Sequence, residues 1–182
     1  MGMSATEPLQ SMSRSREQNE ALLAEVHALV VRSVRLVVGA GSGVAEDAAQ
    51  EALLELSRSL PGLKDVRAAP AFAARIATRV ALRVAKREQR FRLLGLRERE
   101  TRESRSTDQS VGLLELKEAF DRLPPRQRAV AVLRLYVGLT EQETADALGC
   151  SVGTVKHQLH DARQTLTNYL SRDSSAGRKG QR

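Results

Sequence analysis

The side chains best suited to binding a ligand lie on one predicted helix near the end of the 182-residue chain. Val155, Leu159 and Ala162 recur at helical spacing and predict its buried side. At about 100° per residue, the other side carries polar and cationic groups that can contact base edges and phosphates. We expect DNA contacts from Ser151, Gly153, Thr154, Lys156, His157, His160 and Arg163.

The residues before this helix predict how it is positioned. Thr140 followed by Glu143 is typical of a capping box, which starts a short helix. Gly149 can end that helix in the left-handed conformation, and Ser151 can cap the next one. A short helix, a tight turn and a longer helix make a helix-turn-helix, whose second helix fits the major groove of DNA.

A second candidate surface lies on the predicted helix from Pro70 to about Phe91. Ile76, Val80 and Val84 predict its buried side. A row of like charge occupies another side, which favours a polyanion lying along it, although a solubilising surface stays an alternative. The row consists of Arg75, Arg79 and Arg83, and Lys86, Arg87 and Arg90 extend the same arc.

Acidic residues recur every four positions on the predicted helix from Val44 to Leu60. Asp47, Glu51 and Glu55 share one side with Gln50. Stacked carboxylates repel each other by roughly 0.2–0.5 kcal/mol per pair. Two interpretations stay open: a docking face for a basic or polar protein partner, or an ordinary solvated surface.

The glycine-rich run before this helix imitates a nucleotide site. Val37 to Gly43 reads VVGAGSG, like the phosphate-binding turn of a dinucleotide-binding unit. That motif needs a preceding strand and a third glycine, but a helical pattern precedes the run and Val44 occupies the third position. We therefore predict a flexible loop between helices.

Composition limits the class of protein. Lys and Arg number 29 against 22 Asp and Glu, which gives a net charge of +7 and favours an anionic partner. The single Cys fits a reducing compartment, and no apolar run reaches membrane-spanning length, so we expect a cytoplasmic protein without membrane insertion. Although His157 and His160 have metal-compatible spacing, they lack a third ligand. We expect no metal, no cofactor and no enzymatic activity.

Apolar periodicity and charge runs predict an all-α protein with two small helical domains joined by a flexible linker. Residues 1–18 form a disordered tail, residues 19–91 an N-terminal helical domain, and residues 92–110 the linker. Residues 111–171 form a C-terminal helix-turn-helix domain, and residues 172–182 a disordered basic tail.

The chain resembles bacterial RNA polymerase sigma factors of the extracytoplasmic-function (ECF) type. In the C-terminal domain the resemblance rests on LPPRQR, from Leu123, and LGCSVGTVK, from Leu148. In the N-terminal domain, DAAQEALLEL, from Asp47, is similar to the polymerase-docking helix of that family. FAARIATRVALRVAKR, from Phe72, is similar to its promoter-melting helix. Thr144 departs from the family by replacing an aliphatic residue.

The resemblance implies a role for each candidate surface. Asp47, Gln50 and Glu51 would dock on core RNA polymerase, whose β′ and β subunits are the expected partners. The arginine row would meet the minus-ten region of promoter DNA, and the helix from Ser151 would read the minus-thirty-five element. An anti-sigma factor is compatible with the resemblance, although no residue identifies one.

Two alternatives remain open from sequence. A free-standing helix-turn-helix regulator would bind a duplex operator without polymerase. A protein-interaction module with a vestigial DNA-binding half would have no salt-sensitive affinity for DNA.

Overall fold

The computed structural model describes residues 16–39, 43–95 and 118–177, with side chains as far as residue 171. Every regular element in these ranges is helical, which confirms the all-α prediction. The helices are α1 (Arg16–Val38), α2 (Val44–Ser59), α3 (Ala69–Leu93), α4 (Pro125–Ala131), α5 (Glu141–Leu148) and α6 (Val152–Gly177). Most of the predicted linker and much of both predicted tails lie outside the described residues.

Helices α1, α2 and α3 pack around an apolar core. Val30, Val34 and Val37 of α1 are fully buried, as the helical spacing predicts. Burying each such side chain stabilises the fold by about 1.5–3 kcal/mol. Helices α2 and α3 contribute many alanines to this core, so their backbones can approach α1 closely. The 3₁₀ turns Leu60–Gly62 and Val66–Ala68 connect α2 to α3.

Helices α4, α5 and α6 form the helix-turn-helix. Pro125 occupies the first turn of α4, where its missing N–H is tolerated. A π-helical turn, Val132–Tyr136, continues α4. Val130, Val155 and Leu159, each 4% exposed or less, join α4 to α6 through a core of their own.

The two helical units also share a core. Phe120, Leu123 and Val132 are buried in one apolar cluster with the valines of α1 and with residues of α2 and α3. A smaller cluster joins Ala74 of α3 to Leu133 and other residues of the second unit. The sequence analysis predicts two domains and gives no sign of this apolar contact.

Several helix ends differ from the sequence predictions. Helix α1 begins at Arg16 rather than at Asn19, with an Arg16–Glu20 ion pair one turn apart. Gly43 is the N-cap of α2 and provides no side-chain cap. Helix α6 continues to Gly177, so residues 172–177 are helical, and the prediction of a disordered tail from residue 172 is wrong for this part.

Candidate nucleic-acid interface

The helix-turn-helix is built by local hydrogen bonds. The Thr140 hydroxyl accepts the Glu143 N–H at 3.2 Å, and the Glu143 carboxylate accepts the Thr140 N–H at 2.8 Å. The capping box predicted from the sequence is therefore present. Gly149 adopts φ +61° at the end of α5, and Ser151 Oγ accepts the Thr154 N–H at 3.1 Å. These contacts fix the direction in which α6 leaves the turn.

The capping box also changes the acidity of Glu143. The N–H of Thr140, and then its hydroxyl, donate to the carboxylate and hold the pKa of Glu143 below its usual value. A lowered folded-state pKa means that this stabilisation is present above the unfolded pKa of about 4.3. The contribution is lost as the pH falls through the folded-state pKa.

Helix α6 presents its predicted DNA-contact residues to solvent. Val155, Leu159 and Ala162 are buried, which leaves the opposite side outward. Thr154 is half-buried, and the exposed members of the set are Ser151, Gly153, Lys156, His157, His160 and Arg163.

Two of the outward groups on α6 have acidic neighbours. Lys156 Nζ lies 3.6 Å from a Glu141 oxygen, and His157 Nε2 lies 3.6 Å from an Asp161 oxygen. The lysine and the histidine are 63% and 73% exposed, whereas Glu141 and Asp161 are each about one third exposed. Contacts of such exposed groups are weak, so they leave the lysine and the histidine open to another partner. A β-carbon on Gly153 would approach nothing nearer than Ser151 Oγ, at 3.7 Å. The fold therefore does not require this glycine, although its bare backbone leaves room for a ligand.

The arginine row of α3 faces the carboxylates of α2. Arg83 Nη2 lies 2.6 Å from a Glu51 oxygen, and Arg79 Nη2 lies 3.5 Å from a Glu55 oxygen. The basic and acidic surfaces predicted separately are thus neighbours and neutralise each other in part. Arg79 and Arg83 remain 56% and 61% exposed, so the outer side of the row is open to a polyanion.

Arg75, the first arginine of the row, contacts the second helical unit. Its Nη2 atom lies 3.5 Å from an oxygen of Glu143, while its Nε is buried without a hydrogen-bond partner. The side chain is 34% exposed. Of the three arginines, Arg75 is therefore the least available to a ligand in this conformation.

The predicted docking residues lie on the outer surface of α2. Asp47, Gln50 and Glu51 are all exposed. Glu51 turns toward Arg83, whereas Asp47 makes no ion pair with any described residue. The carboxylate of Asp47 is therefore available to a partner.

A buried arginine joins the two helical units, and the sequence analysis assigns it no such role. Arg128 is 8% exposed. Its guanidinium donates to the carbonyl of Val37 in α1 at 3.3 Å, and to the carbonyls of Leu123 and Asp121 at 2.8 and 3.2 Å. Burial lowers the pKa of Arg128, and the Asp121 carboxylate opposes that effect. The only sequence signal was its place in LPPRQR.

A groove of about 360 Å³ lies between α3 and the end of α5. Arg79, Arg83 and Lys86 line one side, and Asp146 and Gly149 line the other. The groove shows that the arginine row and the helix-turn-helix come together in one region. Within the described residues, no three His, Cys, Asp or Glu side chains are placed to hold a metal ion. None of the described helices is long and apolar enough to cross a membrane.

Comparison with known families identifies the two units. The family model "Sigma-70 region 2" matches residues 22–91, and "Sigma-70, region 4" matches residues 113–166. The ECF RNA polymerase sigma factor SigD of Mycobacterium tuberculosis H37Rv is 32% identical over 172 residues, which cover 88% of this chain and 81% of SigD. The chain belongs to the ECF sigma factors. It therefore directs promoter-specific transcription initiation with core RNA polymerase.

Further relatives agree with this assignment. SigE of Mycolicibacterium smegmatis is 34% identical over 143 residues, which cover 72% of this sigma factor and about half (53%) of SigE. Two solved structures, each 20% identical, share the fold. CnrH in complex with the cytosolic domain of CnrY has a TM-score of 0.59 and covers 88% of this chain and 92% of its own. RpoE in complex with the anti-sigma factor NepR from Bartonella quintana has a TM-score of 0.61, and the match covers 86% of this chain and 96% of RpoE.

Proposed function

We propose that this sigma factor assigns its tasks to three surfaces. The outer side of α6 reads the minus-thirty-five element, the arginine row of α3 binds the minus-ten region, and the exposed stripe of α2 docks on core polymerase. The sigma factor supplies binding energy and specificity, and polymerase performs the chemistry. We therefore propose that it has no catalytic activity of its own and acts in the cytoplasm.

Recognition of duplex DNA by α6 is supported by the position of its first turn, directly after the turn of the helix-turn-helix. The first turn of the helix is held by Ser151, while Gly153, Lys156 and His157 project into solvent. The N-terminus of a recognition helix meets base edges, and cationic groups beside it meet phosphates. Lys156 would exchange Glu141 for a phosphate oxygen, and His157 and His160 would lie nearer the bases.

Binding of the minus-ten region by α3 rests on the exposed arginines. Arg79 and Arg83 each present an open side to solvent beyond their ion pairs with α2. Glu51 and Glu55 of α2 lie on one side of the arginine row and repel phosphates. DNA would therefore bind on the other side of the row, which faces solvent. Arg75 would join the row after the contact with Glu143 breaks.

Docking on polymerase is supported by the location of the α2 stripe. Asp47, Gln50 and Glu51 are all exposed on the first helical unit, whereas the recognition helix α6 belongs to the second. An acidic docking face also suits a protein that must bind DNA at the same time, since like charge would keep DNA away from it. Both similar solved structures are complexes, one with CnrY and one with the anti-sigma factor NepR. We infer that a partner of that kind can bind this chain too.

One observation supports the division of tasks most strongly: cationic side chains are exposed on both α3 and α6, while an acidic surface lies on α2. Its test is transcription in vitro with core polymerase on a promoter library, which also identifies the sequences selected. Absence of start-site selection on every template would overturn the proposal.

The role of the arginine row is tested by the double variant Arg79→Gln, Arg83→Gln. Glutamine removes both charges without placing new carboxylates against Glu51 and Glu55. We expect promoter opening, measured by permanganate reactivity of unpaired thymines, to fall roughly tenfold or more, because two phosphate contacts are lost. Affinity for core polymerase, measured by fluorescence anisotropy, should not fall, because the loss of the Arg83 charge leaves Glu51 free for docking.

Arg16→Gln is the matched control for this variant, because it also breaks an exposed Arg–Glu ion pair on the surface of a helix. It should leave promoter opening at the wild-type level. Equal opening by the double variant and wild type would remove the arginine row from the mechanism.

A further inference from the structure

Asp161 is an acidic residue on α6, the helix proposed to bind DNA. Val155, Leu159 and Ala162 define the buried side of this helix. At about 100° per residue, Asp161 lies roughly 50° from the middle of the opposite, outward side. The sequence analysis does not include it among the expected DNA contacts. A carboxylate on this side repels phosphates and therefore opposes DNA binding, unless a hydrogen-bond donor of the DNA meets it.

The fold makes little use of Asp161. Among the described residues, its ion pair is with His157, whose Nε2 atom lies 3.6 Å from an Asp161 oxygen. A pair with so exposed a histidine stabilises a helix only slightly. Aspartate is also one of the less favourable residues in a helix interior. Helix stability therefore does not account for an aspartate at this position.

The position of each group around α6 indicates which part of the DNA it meets. A helix in the major groove has base edges beneath its middle and a phosphate backbone on either side. Around the helix, His157 lies about 10° from the middle of the outward side, nearer than Asp161. Lys156 and Arg163 lie roughly 90° and 110° from it. This arrangement places the histidine and the aspartate toward the bases, and the lysine and the arginine toward phosphates.

The chemistry of a carboxylate limits the base that Asp161 can contact. An ionised carboxylate only accepts hydrogen bonds. In the major groove guanine presents two acceptors, thymine an acceptor and a methyl group, and adenine a donor beside an acceptor. Cytosine presents a donor alone, the amino group at N4. Cytosine is therefore the base that complements Asp161 best.

His157 adds a donor beside this acceptor. The nearby carboxylate of Asp161 favours a hydrogen on Nε2 of the imidazole, because the partner of a ring nitrogen determines where the hydrogen lies. The two side chains then present a donor and an acceptor next to each other. A C·G pair presents the complementary set, with N4 of cytosine as the donor and O6 and N7 of guanine as acceptors.

We propose that Asp161 and His157 together read a C·G base pair in the minus-thirty-five element. The inference rests on the proposed recognition of this element by α6 and adds the base pair that is selected. The Asp161 carboxylate accepts from N4 of cytosine, and Nε2 of His157 donates to O6 or N7 of the paired guanine. The two groups are 3.6 Å apart, which is close enough for both to contact one base pair.

The experiment determines which sequences the full chain, bound to core polymerase, selects from promoter DNA randomised in the minus-thirty-five element. Wild type should prefer cytosine at one position by roughly tenfold. Asp161→Asn should shift the preference at that position to adenine, because an amide both accepts and donates and matches N6 and N7 of adenine. Asp161→Ala should abolish the preference there and leave the other positions unchanged. His157→Ala should weaken the preference at the same position only.

Asp146→Asn is the matched control for the asparagine variant. Asp146 is exposed on α5, where its carboxylate accepts a hydrogen bond from Gln142, so the variant makes the same chemical change on the neighbouring helix. It should leave the selected sequences as they are in wild type. The urea midpoint of Asp161→Asn should also equal that of wild type, because the side chain contributes little to the fold.

Each outcome decides between the proposals. If wild type selects no sequence in the minus-thirty-five element, the proposed function of α6 fails. If wild type selects a sequence and Asp161→Ala selects the same one, only base reading by Asp161 is overturned. Tighter binding of Asp161→Ala to every sequence, with selection unchanged, would show that the carboxylate only repels phosphates. A preference that Asp161→Ala abolishes, but for a base other than cytosine, would overturn the assignment of the C·G pair.

Discussion

Two threonines at the start of α5 have opposite environments. The Thr140 hydroxyl lies in the capping box and bonds both the backbone and the side chain of Glu143. Thr144, one turn later, is fully buried, and its hydroxyl has no hydrogen-bond partner. The departure of Thr144 from the aliphatic residue usual in the family thus has a physical cost. A buried polar group without a partner destabilises a fold by about 1–3 kcal/mol.

Substituting each threonine with valine, which has nearly the same shape, tests this contrast. Thr144→Val should raise the free energy of unfolding by about 1 kcal/mol, because the unpartnered hydroxyl is removed. Thr140→Val should lower it by about 1 kcal/mol, because the cap is lost. Urea unfolding of the free chain measures both. The same sign for the two variants would contradict the hydrogen-bond assignments.

Gly39, at the start of the loop between α1 and α2, lies at the contact between the two helical units. Gly39 has φ +100°, a conformation that side chains disfavour. A β-carbon there would lie 2.9 Å from Nη1 of Arg128 and 3.1 Å from an Asp121 oxygen. The glycine-rich run resembles a nucleotide-binding turn, but its first glycine has another role. Gly39 leaves space for the buried guanidinium of Arg128.

Gly39→Ala should destabilise the protein by about 2 kcal/mol, through both backbone strain and displacement of Arg128. Gly43→Ala is the matched control on the same loop. Gly43 has φ −58°, and a β-carbon there would meet no atom within 4 Å. That variant should be neutral or more stable by about 0.5 kcal/mol. Chemical denaturation compares the two, and an equal effect at both glycines would exclude the close approach of Arg128.

The elements that the sequence predicts well are those fixed by nearby residues. The Thr140–Glu143 box, the left-handed Gly149 and the Ser151 cap each involve residues within four positions, so composition and spacing suffice. The ion pair between Arg83 and Glu51 joins two helices, and Arg128 reaches Val37 from the other helical unit. Such contacts depend on how helices pack, and periodicity identifies a buried side without identifying what covers it.

The described part of the chain is too compact in this conformation to reach both promoter elements. Residues 16–39, 43–95 and 118–177, packed together, have a radius of gyration of about 14 Å and a diameter of about 40 Å. The minus-ten and minus-thirty-five elements are about 25 base pairs apart, or roughly 85 Å along the duplex. In this structure the two helical units are packed together. Phe120, Leu123 and Val132 are buried with residues of α1–α3, and Arg128 donates to α1. We call this arrangement the closed state.

Binding to polymerase and promoter together should separate the two helical units. Fluorophores at Glu25→Cys on α1 and Asn168→Cys on α6, in a Cys150→Ala background, report the separation by resonance energy transfer. Transfer should be high in the free chain and should fall when core polymerase and promoter DNA are both present. A pair at Glu25→Cys and Gln89→Cys, inside the α1–α3 bundle, should not change. Constant transfer from the first pair in a transcribing complex would mean that the closed state itself binds the promoter, and the distance argument would then be wrong.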